Sequence, residues 1–236
     1  MRGAVNLGVV TTPAAFYFDL ASPLAYLAAE RILHVLPGPA EWRPIDASEL
    51  RAAERSDAFR REEEGEVFRE EIERRARELR LQPLRWPNPF PFDSALAMRV
   101  ATYAASIGRT VPFAQAAFRQ AFAGGHSLED PDFVLIAAAA CEMHPTAVLR
   151  GAGMRATAER LAQSTATAAA TGVTDVPAIS VGERVFVGED APERAAAHMR
   201  DEPADTADTA DTADTADTAD GLLDVRISGR TESTPP

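Results

Sequence analysis

The stretch from Phe16 to Leu33, Phe-Tyr-Phe-Asp-Leu-Ala-Ser-Pro-Leu-Ala-Tyr-Leu-Ala-Ala-Glu-Arg-Ile-Leu, constrains the fold more than any other part of the chain. Phe16, Tyr17 and Phe18 favour a β-strand, and Asp19-Leu20-Ala21 is a loop signal. Ser22 suits a helix N-cap, and Pro23 suits the first helical position, where a missing N–H costs nothing. Leu24, Leu27, Arg31 and Ile32 then recur at helical spacing among small and charged residues. The pattern predicts a buried strand over 15–20, a short loop, and a helix over 23–36. The unpaired N–H groups and positive dipole end of such a helix suit an anion.

A second informative stretch runs from 172 to 190. Ala178–Val181 and Arg184–Val187 read as two short strands joined by a Gly182-Glu183 turn. Pro177 stands just before the first of them, where a missing N–H is tolerated and a cis bond is accessible. A closing helix is predicted over 190–200. Between the two ends, a strand is predicted over 40–45 and helical segments over 47–80, 94–108, 111–122, 131–141 and 146–171, with Gly124-Gly125 as a break. Over 47–80, Phe59, Val67, Phe68, Ile72 and Leu79 mark one partly apolar face, and Glu62-Glu63-Glu64 reads as a solvated one. A βαβ start, a helical insert and a ββα end make an α/β chain whose sheet is interrupted by an all-helical region.

These motifs, in this order, resemble the DsbA-like family of 2-hydroxychromene-2-carboxylate isomerases and kappa-class glutathione transferases. Glu41-Trp42-Arg43-Pro44 is similar to that family's second strand. The segment Arg85-Trp86-Pro87-Asn88-Pro89-Phe90-Pro91-Phe92-Asp93-Ser94 is similar to its tryptophan-proline loop. Thr171 to Pro177 resembles its approach to a cis-proline, and Gly188-Glu189-Asp190 its ligand-binding turn. The resemblance covers about residues 14–200 and implies a thioredoxin-like (DsbA-like) fold with a large all-helical insertion. Residues 14–46 and 172–200 would form the thioredoxin-like domain, and 47–171 the insertion.

Where a dithiol enzyme carries Cys-x-x-Cys, this chain has Ser22-Pro23-Leu24-Ala25. The resemblance therefore implies that Ser22 is catalytic by favouring the thiolate of a bound cofactor, glutathione or another low-molecular-weight thiol. Without the family, a plain N-cap is the simpler role for this serine. Val176 and Pro177 would hold the cofactor, with the backbone of Val176 pairing as a short strand. Asp190 would accept its ammonium group, or else cap the last helix. Trp86, Phe90 and Asp93 would line the pocket of a small aromatic substrate, in a cleft between sheet and insertion. Three departures stand out. No Asn-x-Pro-Pro with a nearby lysine occurs between 46 and 80, Ala191 rather than Arg follows Asp190, and Asp93 replaces a common Asn. The activity implied is a thiol-dependent isomerisation, with a kappa-like transferase or peroxidase and a non-catalytic binding protein as alternatives.

Composition narrows the field further. The chain has no lysine, which excludes Schiff-base chemistry on a lysine side chain, and its net charge of −12 disfavours nonspecific nucleic-acid binding. No window offers the roughly 18 unbroken apolar residues of a membrane span, and the first fifteen residues do not read as a secretory signal. Cys141 is the sole cysteine, so an internal disulfide is excluded and a cytoplasmic setting is expected. Cys141 and His144 share a helical face, yet no third ligand accompanies them, so no metal is expected. A homodimer stays open. Residues 201–236 carry ten acidic residues and two arginines, mostly in an Ala-Asp-Thr repeat. A repeat without large apolar positions cannot offset its ordering entropy, so a disordered acidic tail is expected, with Leu222 to Ile227 as a short sticky segment beyond it.

Overall fold

The computed structural model describes residues 13–53 and 62–201, without the side chains of 51–53 and 62–64. Expectations for the tail, for Leu222 to Ile227 and for Phe59 lie outside the described residues.

Strand β1 (Ala14–Phe18) is buried along its whole length because it is central, covered on both faces. Helices α1 (Pro23–Ala29) and α2 (Ile32–Val35) follow, then β2 (Ala40–Pro44). The inserted helices are α3 (Ala47–Ala53), α4 (Glu62–Glu78), α5 (Ala95–Ser106), α6 (Thr110–Phe122), α7 (Pro131–Ala139), α8 (Pro145–Ala152) and α9 (Arg155–Ala170). The chain closes with β3 (Ala178–Val181), β4 (Arg184–Val187) and α10 (Ala191–Asp201). The sheet order is β2-β1-β3-β4; β1 runs parallel to β2 and antiparallel to β3, and β3–β4 is an antiparallel hairpin. Gly182 turns that hairpin with φ +57°, a conformation that costs glycine nothing. This is the thioredoxin-like DsbA fold, with its helical insertion between β2 and β3.

The alternation of β1 builds two cores. Phe16 and Phe18 face a large one with Trp42 at 4.9 Å from Phe16, Phe118, Ile179 and the buried sides of α1, α5, α6 and α10. Ala15 and Tyr17 face a smaller one with Ile45, Ala47, Leu50, Ala168, Val173 and Val176. Sheet and insertion therefore share packing on both faces. No described helix is long and apolar enough to cross a membrane.

Among the described residues, two predicted helices are divided. The helix over 23–36 breaks at Glu30-Arg31, where the Arg31 side chain turns back to accepting carbonyls of the fold, so α1 has only seven residues. The helix over 146–171 breaks at Gly153-Met154, and the 47–80 region holds α3 and α4, with residues 54–61 between them outside the described residues. The strands predicted over 15–20 and 40–45 are Ala14–Phe18 and Ala40–Pro44. Val67 is 64% exposed and stands off the apolar face, which Phe68, Ile72 and Leu79 carry as expected, together with Ala76. Gly151 lets α8 lie against α5, since a Cβ there would sit 2.3 Å from the Tyr103 ring.

Candidate active site

The sheet register decides what meets at the site. Tyr17 pairs with Ala178 across β1 and β3, so the loop leaving β1 and the Val176-Pro177 peptide emerge at the same end of adjacent strands. The Val176–Pro177 bond is cis, as are Asn88–Pro89 and Phe90–Pro91 in the tryptophan-proline loop.

Ser22 is buried and caps α1 with extended backbone, its Oγ accepting the Ala25 N–H at 3.2 Å. Its own N–H donates to the Asp19 carbonyl at 3.1 Å, closing the loop. The cap uses a lone pair and leaves the hydroxyl hydrogen unspent; among the described residues it has no acceptor. Capping and donating to a ligand are thus compatible for one hydroxyl. The dipole contribution is that of a two-turn helix, smaller than a helix over 23–36 would offer, and the Ser22 O–H is the stronger handle on a nearby anion.

Asp19 reads locally as a turn former, but the fold gives it more to hold. It is 5% exposed, and three donors converge on it. The Ala21 N–H and the Ser94 hydroxyl reach Oδ1, both at 2.9 Å, and the Ala47 N–H reaches Oδ2 at 3.1 Å. Burial raises its pKa above the ordinary 3.8, against the pull of those three hydrogen bonds, and nearby Asp46 pushes the same way as burial.

The Val176 N–H donates to the Asp175 carboxylate at 2.8 Å, while its carbonyl accepts no hydrogen bond among the described residues. One of the two backbone groups expected to pair with a ligand is therefore turned to a neighbouring side chain. The Gly188 N–H donates to the Pro177 carbonyl at 2.9 Å, which brings the turn at 188–190 to the same sheet end. Asp190 is exposed there, its carbonyl accepting the Arg194 N–H at the start of α10 and its carboxylate 3.3 Å from the Arg194 guanidinium. Arg31 anchors the turn from below: Nη2 donates to the Glu189 carbonyl at 2.9 Å, Nε to the Leu27 carbonyl at 3.0 Å, and Nη1 pairs with Glu193. Arg75 of α4 pairs with the Glu189 carboxylate. The contacts of Arg31 with Glu189 and Glu193, and of Arg75 with Glu189, had no local signal in the sequence.

The tryptophan-proline loop joins the site through rings. Tyr26 of α1 stacks on Phe122 at 5.6 Å, and Phe122 contacts Trp86, Phe90 and Phe92. Trp86 and Phe90 lie 4.8 Å apart, both half-buried, with Arg69 of α4 over their faces. The Trp86 Nε1–H is held by Glu73 at 2.8 Å. Asp93 is exposed and accepts the Ala95 N–H at 2.7 Å, a capping contact at the start of α5, whereas its neighbour Ser94 reaches Asp19. A groove of about 900 Å³ runs along β1, lined by Pro13, Ala15, Tyr17, Arg43, Ser180 and Val185. A smaller one, about 420 Å³, lies beside Asn88, Pro89 and His126.

Cys141 is buried, which raises its thiol pKa, and His144 caps α8 by accepting the Thr146 N–H at 3.3 Å. The described residues contain no cluster of three metal-ligating side chains.

The model of the DSBA-like thioredoxin domain matches residues 15–200. The chain belongs to the DSBA-like thioredoxin family. Among solved structures, it is similar to a 2-hydroxychromene-2-carboxylate isomerase at 18% identity and TM-score 0.71, over 79% of this chain and 94% of that one. It is also similar to a probable DsbA oxidoreductase from Streptomyces coelicolor, at 16% identity and TM-score 0.62 over 80% and 89% of the two chains. The disulfide reductase DsbM from Pseudomonas aeruginosa, solved with GSH, matches at 13% identity and TM-score 0.50 over 74% and 88%. No curated protein matches. At these identities the likeness speaks for the fold.

Proposed function

We propose that this member of the family is a thiol-dependent isomerase of the 2-hydroxychromene-2-carboxylate isomerase type, acting with glutathione or another low-molecular-weight thiol. The observation that carries the reading is Ser22, which occupies the opening of α1 with its cap made and its hydroxyl hydrogen unspent. In a dithiol member of the fold the attacking cysteine would stand here; Ser22 cannot attack a disulfide but can donate to a thiolate. Of the solved structures it resembles, one is named as an isomerase and another holds GSH, which supports the choice of chemistry.

In the reaction the thiolate adds to the chromene and opens the ring, a bond rotates, and elimination returns the thiol with the trans-benzylidenepyruvate. The thiol is regenerated and no electrons change hands. Ser22 would hold the sulfur as an anion before addition and after elimination. The Val176 carbonyl would take a backbone N–H of the thiol peptide, and Asp190 its ammonium. Trp86 and Phe90, with Arg69 across their faces, would receive an aromatic acid. A small aromatic substrate and a cytoplasmic setting belong to the same proposal. The experiment is ultraviolet detection of trans-benzylidenepyruvate from 2-hydroxychromene-2-carboxylate with and without glutathione. Product formation that requires the thiol supports the reading; no product with any natural thiol rejects it.

A further inference from the structure

We infer that Asp19 is the positioning residue of this site, a buried carboxyl that sets where Ser22 stands relative to the insertion. Its kinetic consequence rests on the reading of Ser22 given above; its structural consequence does not. Asp19 binds one donor in each of three segments: Ala21 in the Ser22 loop, Ala47 at the first residue of α3, and Ser94 at the entry to α5. The last two lie 28 and 75 residues away in the chain. The loop is further pinned by the Leu20 N–H, which reaches the Met98 sulfur of α5 at 3.2 Å.

Only a carboxyl group meets this pattern. Both oxygens must accept, since all three partners donate. An amide would turn its NH₂ toward either the Ala47 N–H or the Ala21 and Ser94 donors, and an apolar side chain would leave buried N–H groups unsatisfied. Among the described residues no cation offsets the group: its surroundings contribute burial, the three donors and a second carboxylate, Asp46. A buried acid without a counter-charge is costly, and a packing role alone is met more cheaply by an apolar residue. What the acid adds is a fixed distance between the Ser22 loop and the start of α5, where the tryptophan-proline loop ends. Misplacing a reacting group by about 1 Å costs about 100-fold in rate.

The test uses the full chain as wild type, Asp19→Asn and Ser94→Ala, read by hydrogen-exchange mass spectrometry and by thiol-dependent turnover. Asp19→Asn is expected to speed exchange about tenfold or more, together, in peptides spanning 19–25, 46–50 and 94–98, while 133–139 in α7 keeps its wild-type rate. Turnover per folded molecule is expected to fall about 100-fold with the KM for the thiol changed less than about threefold. Ser94→Ala should give the same coupled pattern in smaller degree, and it carries the test if Asp19→Asn does not fold. Exchange that rises evenly along the chain, or only within 19–22, would overturn the inference, as would turnover within about twofold of wild type. If the wild type itself shows no thiol-dependent turnover, the reading of Ser22 falls, and the exchange pattern alone decides the role of Asp19.

Discussion

Two segments meet at the working end of the sheet, and they are held by different chemistry. The Ser22 loop is fixed from inside, by short hydrogen bonds to a buried carboxyl, to a backbone carbonyl and to the Met98 sulfur. The turn at 188–190 is fixed largely from outside, by arginine: Arg31 on the Glu189 carbonyl, Arg75 on the Glu189 side chain, and Arg194 beside Asp190. Hydrogen bonds excluded from water are barely screened by salt, whereas ion pairs at a half-exposed turn are. A thiol-handling group needs one geometry, and the loop supplies it. The turn that would bind the polar end of a cofactor is tied to α4 by a contact that solvent and salt can loosen.

The comparison breaks most visibly at Arg31, which is arginine chemistry in a buried place. Arg31→Ala removes two carbonyl hydrogen bonds and the Glu193 pair and is expected to cost about 1–3 kcal/mol in urea denaturation. A cost near zero would mean that water replaces the guanidinium and that the turn does not depend on it.

The pH dependence of Asp19 sharpens the loop's side of the contrast. Because burial raises its pKa in the fold, the native state binds this proton more tightly than the unfolded chain. Its contribution to stability is present below 3.8 and is lost as pH rises through the native pKa. The melting temperature of the wild type relative to Asp19→Asn should therefore fall as pH increases from about 3.8 upward. A difference that grows with pH instead would mean that the three hydrogen bonds outweigh burial. The smallest effect belongs to Arg75→Ala, about 0–1 kcal/mol at low salt and nothing measurable at high salt. A salt-independent loss would place that ion pair with the buried contacts.

Much of this arrangement was legible before the fold was known. Strands β3 and β4 fall where alternation and the Gly182 turn put them, because a tight hairpin is a local decision. The Ser22 cap follows equally from neighbouring residues, whereas the residues alone leave the cis Val176–Pro177 bond only accessible, and it is the family resemblance that implies it. The breaks in the helices divide into two kinds. That at Gly153 had a local signal in Gly151 and Gly153, whereas that at Arg31 depends on Glu189 and Glu193, 158 and 162 residues onward. Asp19 was visible as a turn residue, but its partners Ala47 and Ser94 carry no mark of the contact, since an alanine N–H and a serine hydroxyl are unremarkable anywhere. Asp93 is ambiguous in the opposite direction: a carboxylate beside an aromatic loop suits both lining a pocket and accepting an N–H at the start of α5, and it does accept the Ala95 N–H. Local rules placed the elements, and the contacts that position the site are the long-range ones.

The account turns on whether Ser22 acts on a bound thiol or only caps α1. Ultraviolet titration of the protein-bound thiol in wild type and Ser22→Ala, beside a melting curve of each, decides it. A lost hydrogen bond to a charged group is worth about 1.5–3 kcal/mol, so the thiol pKa should rise in Ser22→Ala and turnover should drop about 10- to 150-fold. Loss of the cap should lower stability by only about 1 kcal/mol. An unchanged thiol pKa with a lowered melting point would make Ser22 a helix cap alone and contradict the account.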